Sequence, residues 1–177
     1  MLHLLPTGLS PLRNAVSQYG ISRYRSGYRV QTLSMGVAAI ASAIGIAKLN
    51  LAGSSIAVIL LLICGAARCA ISWFPMDTPG TERTETGRRH GLLAIAAFAA
   101  VALAAIRLGT LLNRADVWRS TSAVVVGLGI EMLVTSIALG PVRRHETMRR
   151  YFGLVERAFY AGALAFFFIV SIELIRR

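Results

Sequence analysis

Trp73-Phe-Pro-Met-Asp-Thr-Pro-Gly-Thr-Glu-Arg-Thr-Glu-Thr-Gly-Arg-Arg-His-Gly91 stands between two long apolar runs. It carries two of the chain's five prolines, three of its eight acids and three arginines. Lipid cannot satisfy the backbone groups that such prolines and glycines leave free, so the segment reads as a loop at a membrane face. It is also where specific chemistry would gather. The runs around it decide the class. The chain is 55% hydrophobic and only 15% charged, where a soluble domain has about 25% charged residues. The charge-poor runs are each roughly 18–23 residues long, the length that crosses a bilayer. An all-α, polytopic membrane bundle follows.

Five spans are expected, over about residues 31–48, 53–74, 89–112, 120–140 and 154–175, in a single membrane domain covering 31–177. The first is rich in small residues, with Ala41 and Gly45 at the spacing that lets helix backbones approach. Leu49 to Ser54 reads as a tight turn. Pro75 stops the second span behind an interfacial Trp73-Phe74 pair, and Gly140-Pro141 reads as the stop of the fourth. Residues 1–30, with Tyr19, Arg23, Tyr24, Arg25, Tyr28 and Arg29, read as a segment lying in the headgroup layer. Two prolines interrupt its apolar start, so it does not read as a signal peptide.

The net charge is +11, and Lys48 is the only lysine. The arginines lie beside apolar runs and do not form one stripe, which argues against a nucleic-acid surface and for basic loops held on the cytoplasmic side. Eleven basic loop residues fall on the face of the N-terminal segment and five on the other, so the N-terminus is expected inside and the C-terminus outside.

Charges within the spans must face the bundle and pair, because each costs roughly 2.5–3.5 kcal/mol at the bilayer centre. At about 1.5 Å per residue, Arg68 lies roughly 9 Å and Glu131 roughly 14 Å from the inner ends of their helices. They are expected to form a buried ion pair. By the same counting Arg107 lies level with Glu173, and Arg157 level with Asp77.

No catalytic constellation stands out. His3, His90 and His145 sit at loops or ends, which disfavours haem; Cys64 and Cys69 point to different helix faces, so they read as packing residues and not as a disulfide or zinc site. No cofactor and no metal is expected. Asp77 could work with His90, the side chain there whose ordinary pKa is near neutral, although Asp also simply closes turns.

Three segments together resemble the membrane family catalogued as domain of unknown function 998. They are Pro11-Leu-Arg-Asn-Ala-Val-Ser-Gln-Tyr-Gly20, Phe74-Pro-Met-Asp-Thr-Pro-Gly80 with Gly87-Arg-Arg-His90, and Gly153-Leu-Val-Glu-Arg157. The resemblance implies a small helical membrane protein of bacteria or archaea with no assigned activity. It points to Ser17, Tyr19, Asp77, Pro79, Gly80, His90 and Arg157. It also implies a membrane helix before the Ser-x-Tyr segment, where this chain has a short apolar stub, and Gln18 stands where an acid is common.

The expected role is that of a non-catalytic accessory subunit or a small lipid- or metabolite-binding bundle in a bacterial inner (plasma) membrane. The alternative is a membrane enzyme or transporter with a cytoplasmic-side polar pocket around Asp77, His90, Arg157 and Arg68. Expected partners are membrane lipids, anionic ones among them, and a partner subunit or a second copy of the chain. On the inner face, Asp77 is expected to reach Arg157 or the Ser17–Tyr19 segment and clamp the loop over the helix ends.

Overall fold

A computed structural model describes residues 6–114 and 119–176; His3, residues 115–118 of the third connection and Arg177 lie outside them. Among the described residues the regular structure is helical, with no strand. The long helices are α1 (Arg25–Lys48), α2 (Ser55–Ala70), α3 (Glu85–Arg114), α4 (Arg119–Arg144) and α6 (Phe152–Ile175), and a short α5 (Glu146–Arg149) lies in the basic loop. The five long segments are all apolar enough to cross a membrane. Consecutive long helices pack side by side, α1 on α2, α2 on α3, α3 on α4 and α4 on α6, while α6 touches α1 lightly.

Local chemistry explains most of the boundaries. After Ala70, α2 tightens into a 3-10 turn over Ile71–Trp73, and Phe74 then leaves the helical region with φ −115° and ψ 88°, as a following proline favours. In the loop, the Thr81 N–H donates to the Thr78 carbonyl and Gly80 has φ +89°. Pro79 followed by a left-handed residue is the pattern of a type II turn, which accounts for Gly80. Between α1 and α2 the expected tight turn is present, with Asn50 and Gly53 at positive φ.

Three boundaries differ from expectation, and one of them is the start of α3 at Glu85, four residues ahead of the expected 89. Helix α1 starts at Arg25, six residues before the apolar run, because arginine and tyrosine are competent helix formers once the interface supplies water for their head groups. Pro141 does not end α4, which runs to Arg144. The missing proline N–H falls in the helix's last turns at a membrane face, and the Pro141 carbonyl still accepts from the His145 N–H at 3.0 Å.

Of the expected small-residue pair, Gly45 packs closely on α6, where a Cβ would lie 2.5 Å from Leu174 Cδ1. Ala41 is exposed. Helices α1 and α2 instead cross at Gly36 and Gly65, where a Cβ on Gly36 would lie 3.0 Å from the Gly65 carbonyl oxygen. Helices α3 and α4 cross at Gly109 and Gly129, where a Cβ on Gly129 would lie 2.7 Å from the Ile106 amide nitrogen. The core between the helices is alanine-rich on α3 (Ala97, Ala100, Ala102, Ala104, Ala105) and aromatic on α6 (Phe159, Phe166, Phe167). Helix α4 buries the least of its length and presents Val124, Ile130, Val134 and Ile137 outward, as a lipid-facing helix does.

Candidate functional site

The amino ends of α1, α3 and α6 and the carboxyl ends of α2 and α4 share one end of the bundle, so the three resembling segments meet there. The N-terminal segment does not simply lie along the surface. Val16 and Tyr19, in a 3-10 turn over Val16–Ile21, are buried. The Val16 N–H donates to Oε2 of Glu156 at 2.7 Å, the Leu154 N–H donates to the Leu12 carbonyl at 3.0 Å, and Arg157 donates to the Asn14 carbonyl at 2.9 Å. Gly153 completes the seat, because a Cβ there would lie 2.5 Å from the Pro11 carbonyl oxygen.

The clamp is therefore built on Glu156 and not on Asp77. Asp77 accepts hydrogen bonds from the Thr84 backbone N–H at 3.2 Å and the Thr84 hydroxyl at 2.6 Å. The same hydroxyl accepts the Gly87 N–H at 3.0 Å, which makes Thr84 the N-cap of α3 and Asp77 its support. The Asp77 carboxyl lies directly over Gly87, where any Cβ would collide with it. Helix geometry explains the correction. Seven residues of loop return Thr84 to Asp77, whereas Arg157 sits on the α6 face that the N-terminal segment covers.

His90 is buried, and its Nδ1–H donates to the Phe74 carbonyl at 2.7 Å, tying the first turn of α3 to the end of α2. Arg88 and Arg89 pair with Glu85 at 2.8 and 3.1 Å on the exposed rim, where such pairs contribute about 0–1 kcal/mol. Ser17 donates to the Met76 sulfur at 3.0 Å, joining the N-terminal turn to the loop.

Below this layer lies Arg68, 2% exposed and among the largest fully buried side chains. One of its terminal nitrogens donates to the Tyr160 hydroxyl at 3.1 Å, the other lies 3.6 Å from the Met35 sulfur, and Nε has no partner. Its guanidinium carbon is 5.4 Å from the Tyr160 ring centroid, a cation–π contact. Phe98 and Phe159 stack beneath, and both meet Tyr160 edge-on. Across the α1–α2 seam the Thr32 and Ser72 hydroxyls bond at 2.6 Å.

Arg68 does not pair with Glu131. The Glu131 side chain packs on Gly162 of α6, and its Oε2 has no hydrogen-bond partner. Distances of roughly 9 and 14 Å from the helix ends say nothing about which way around its axis each helix faces. Arg107 likewise donates to the Gly53 carbonyl at 3.3 Å, and Glu173 pairs with Arg176 at 3.8 Å.

Glu156 and Tyr160 were missed as site residues. The available signal was the face of α6: Gly153, Glu156, Tyr160 and Ala163 follow the i, i+3, i+4 pattern, so the carboxyl lies in a buried stripe. Among the described residues no three His, Cys, Asp or Glu side chains gather as a metal site would require. No curated protein and no solved structure matches the chain. The family model for "Protein of unknown function (DUF998)" matches residues 1–173, and the chain, a multi-pass bundle of apolar helices, belongs to that family.

Proposed function

We propose that this protein is a non-catalytic binding bundle or accessory subunit of a bacterial inner membrane, with its N-terminus cytoplasmic and its C-terminus outside. One observation carries the reading: the Asp77, His90 and Arg157 side chains at the candidate site are each engaged in holding backbone together. Asp77 supports the cap of α3, His90 holds Phe74, and Arg157 holds Asn14. A general acid or base needs a free path to a substrate proton, and these groups face loop backbone. The basic loops support the orientation, since Arg83, Arg88, Arg89, Arg143, Arg144, Arg149 and Arg150 lie at the end that holds the N-terminal segment.

Two measurements test this. A phosphatase reporter fused after Arg177 or inserted at Asn50 is expected to be active outside, and one at Gly80 inactive; a cytoplasmic signal after Arg177 overturns the orientation. Asp77→Ala is expected to lower thermal stability by about 1 kcal/mol, the usual cost of a lost helix cap. A variant with wild-type melting and abundance that nonetheless loses a cellular phenotype would mean that Asp77 does chemistry.

A further inference from the structure

The end of the bundle that carries the joined segments also holds an open groove of about 630 Å³. Its walls are the 3-10 turn Val16–Ile21, the first turns of α1, and the exit of α2 from Ile71 to Met76. Three arginines, Arg23, Arg25 and Arg29, line it together with Ser17, and Tyr28 forms part of its floor. We propose that this groove binds the phosphate of a net-anionic ligand, carried by an anionic lipid headgroup or by a soluble phosphate ester. The proposal deepens the binding-bundle reading above and rests on it.

Charge is the first argument. The first 76 residues contain no Asp or Glu, and Asp77, the next acid, is committed to Thr84. Arg23 donates to the Pro6 carbonyl at 3.2 Å and stacks on Tyr24, while the guanidinium groups of Arg25 and Arg29 make no hydrogen bond or ion pair among the described residues. Three cations thus share one groove with nothing to neutralise them. An anion is the species that relieves their repulsion.

Geometry is the second. Arg25 and Arg29 stand four residues apart on α1, so their side chains rise from one helix face. Each guanidinium offers a planar fork that matches two phosphate oxygens. No side chain caps α1, so its amino end adds the positive end of the helix dipole to the same wall. The Ser17 hydroxyl bonds only a thioether sulfur, a weak acceptor that a phosphate oxygen would displace. Ile21, Ile71 and Pro75 give the groove an apolar side for the carbon part of a ligand.

The test uses the full chain in phosphatidylcholine nanodiscs, with melting temperature as the readout, since a ligand that binds the folded state raises it. One arm dopes the discs with phosphatidylglycerol; the other adds inorganic phosphate or glycerol 3-phosphate to undoped discs. A rise in the first arm alone assigns a lipid headgroup, and a rise in the second assigns a soluble ester. In either case Arg25→Gln/Arg29→Gln is expected to weaken the apparent affinity by about tenfold or more, from the loss of charge-assisted hydrogen bonds. Arg143→Gln/Arg144→Gln, at the same end but outside the groove, is expected to leave it unchanged. Both pairs are exposed, so ligand-free melting should match the wild type and exclude misfolding. No rise in either arm, or equal weakening by both double variants, overturns the groove. Such a failure leaves the non-catalytic reading and its orientation standing, because the fusion reporters test those separately.

Discussion

Glu156→Ala is expected to lower the stability of the bundle by about 2–5 kcal/mol, from the volume of a buried side chain and the acceptor it takes from a buried N–H. The side chain is 5% exposed, and its Oε2 is the acceptor for the buried Val16 N–H at 2.7 Å. Truncation leaves that N–H without a partner, which alone costs about 1–3 kcal/mol. It also empties the volume of a buried side chain against the N-terminal turn. The loss should be local before it is global. With the seat on α6 gone, the segment around Arg13 and Arg23 should become cleavable by trypsin under conditions where the wild type resists. Glu156→Gln keeps an acceptor for Val16 and should lose less on both measures. If alanine, glutamine and wild type melt and cleave alike, the N-terminal segment is held by something else.

The second large effect is at Arg68. Arg68→Ala is expected to cost about 3–5 kcal/mol, because it empties the volume of a long, fully buried side chain. Arg68→Met fills much of that space and removes a buried cation whose Nε has no partner, so its cost should fall to about 1–3 kcal/mol, the penalty of leaving the Tyr160 hydroxyl unpaired. Adding Tyr160→Phe should recover most of that, since both polar partners are then gone. Thermal unfolding in detergent with Arg68→Met, Tyr160→Phe and the double variant gives the coupling. Glu131 supplies the control. Because Arg68 bonds Tyr160 and Glu131 packs on Gly162, Arg68→Met and Glu131→Leu should be additive within about 0.5 kcal/mol. Strong coupling between them would restore the ion pair that the geometry denies.

The small residues show how sequence spacing and packing part company. Ala41 and Gly45 have the four-residue spacing of a close helix pair, yet Ala41 faces outward and the tight crossing is at Gly36 and Gly65. A spacing rule marks a face of one helix. It does not choose the neighbour, and here α2 chose the face one turn and a half earlier. Helix ends behaved similarly. Pro75 stopped a helix because the chain must leave the membrane there, while Pro141, at a wet helix end, did not.

Hydropathy alone determined that the chain is a bundle of five long apolar helices, because lipid leaves a single-span segment no other way to satisfy its backbone. Proline and glycine chemistry determined the turns at Asn50, Gly53 and Gly80, since those conformations depend on neighbours in the chain. The meeting of the N-terminal segment, the loop before α3 and the start of α6 was also legible, because alternating spans place their ends on alternating faces. What only the tertiary structure decided is which side chain meets which. Glu156 took the role expected of Asp77, and Tyr160 the role expected of Glu131. Those choices depend on the rotation of each helix about its axis, which the close glycine crossings and the aromatic stack of Phe98, Phe159 and Tyr160 determine together. No single segment contains that information, because it arises only when all the helices pack.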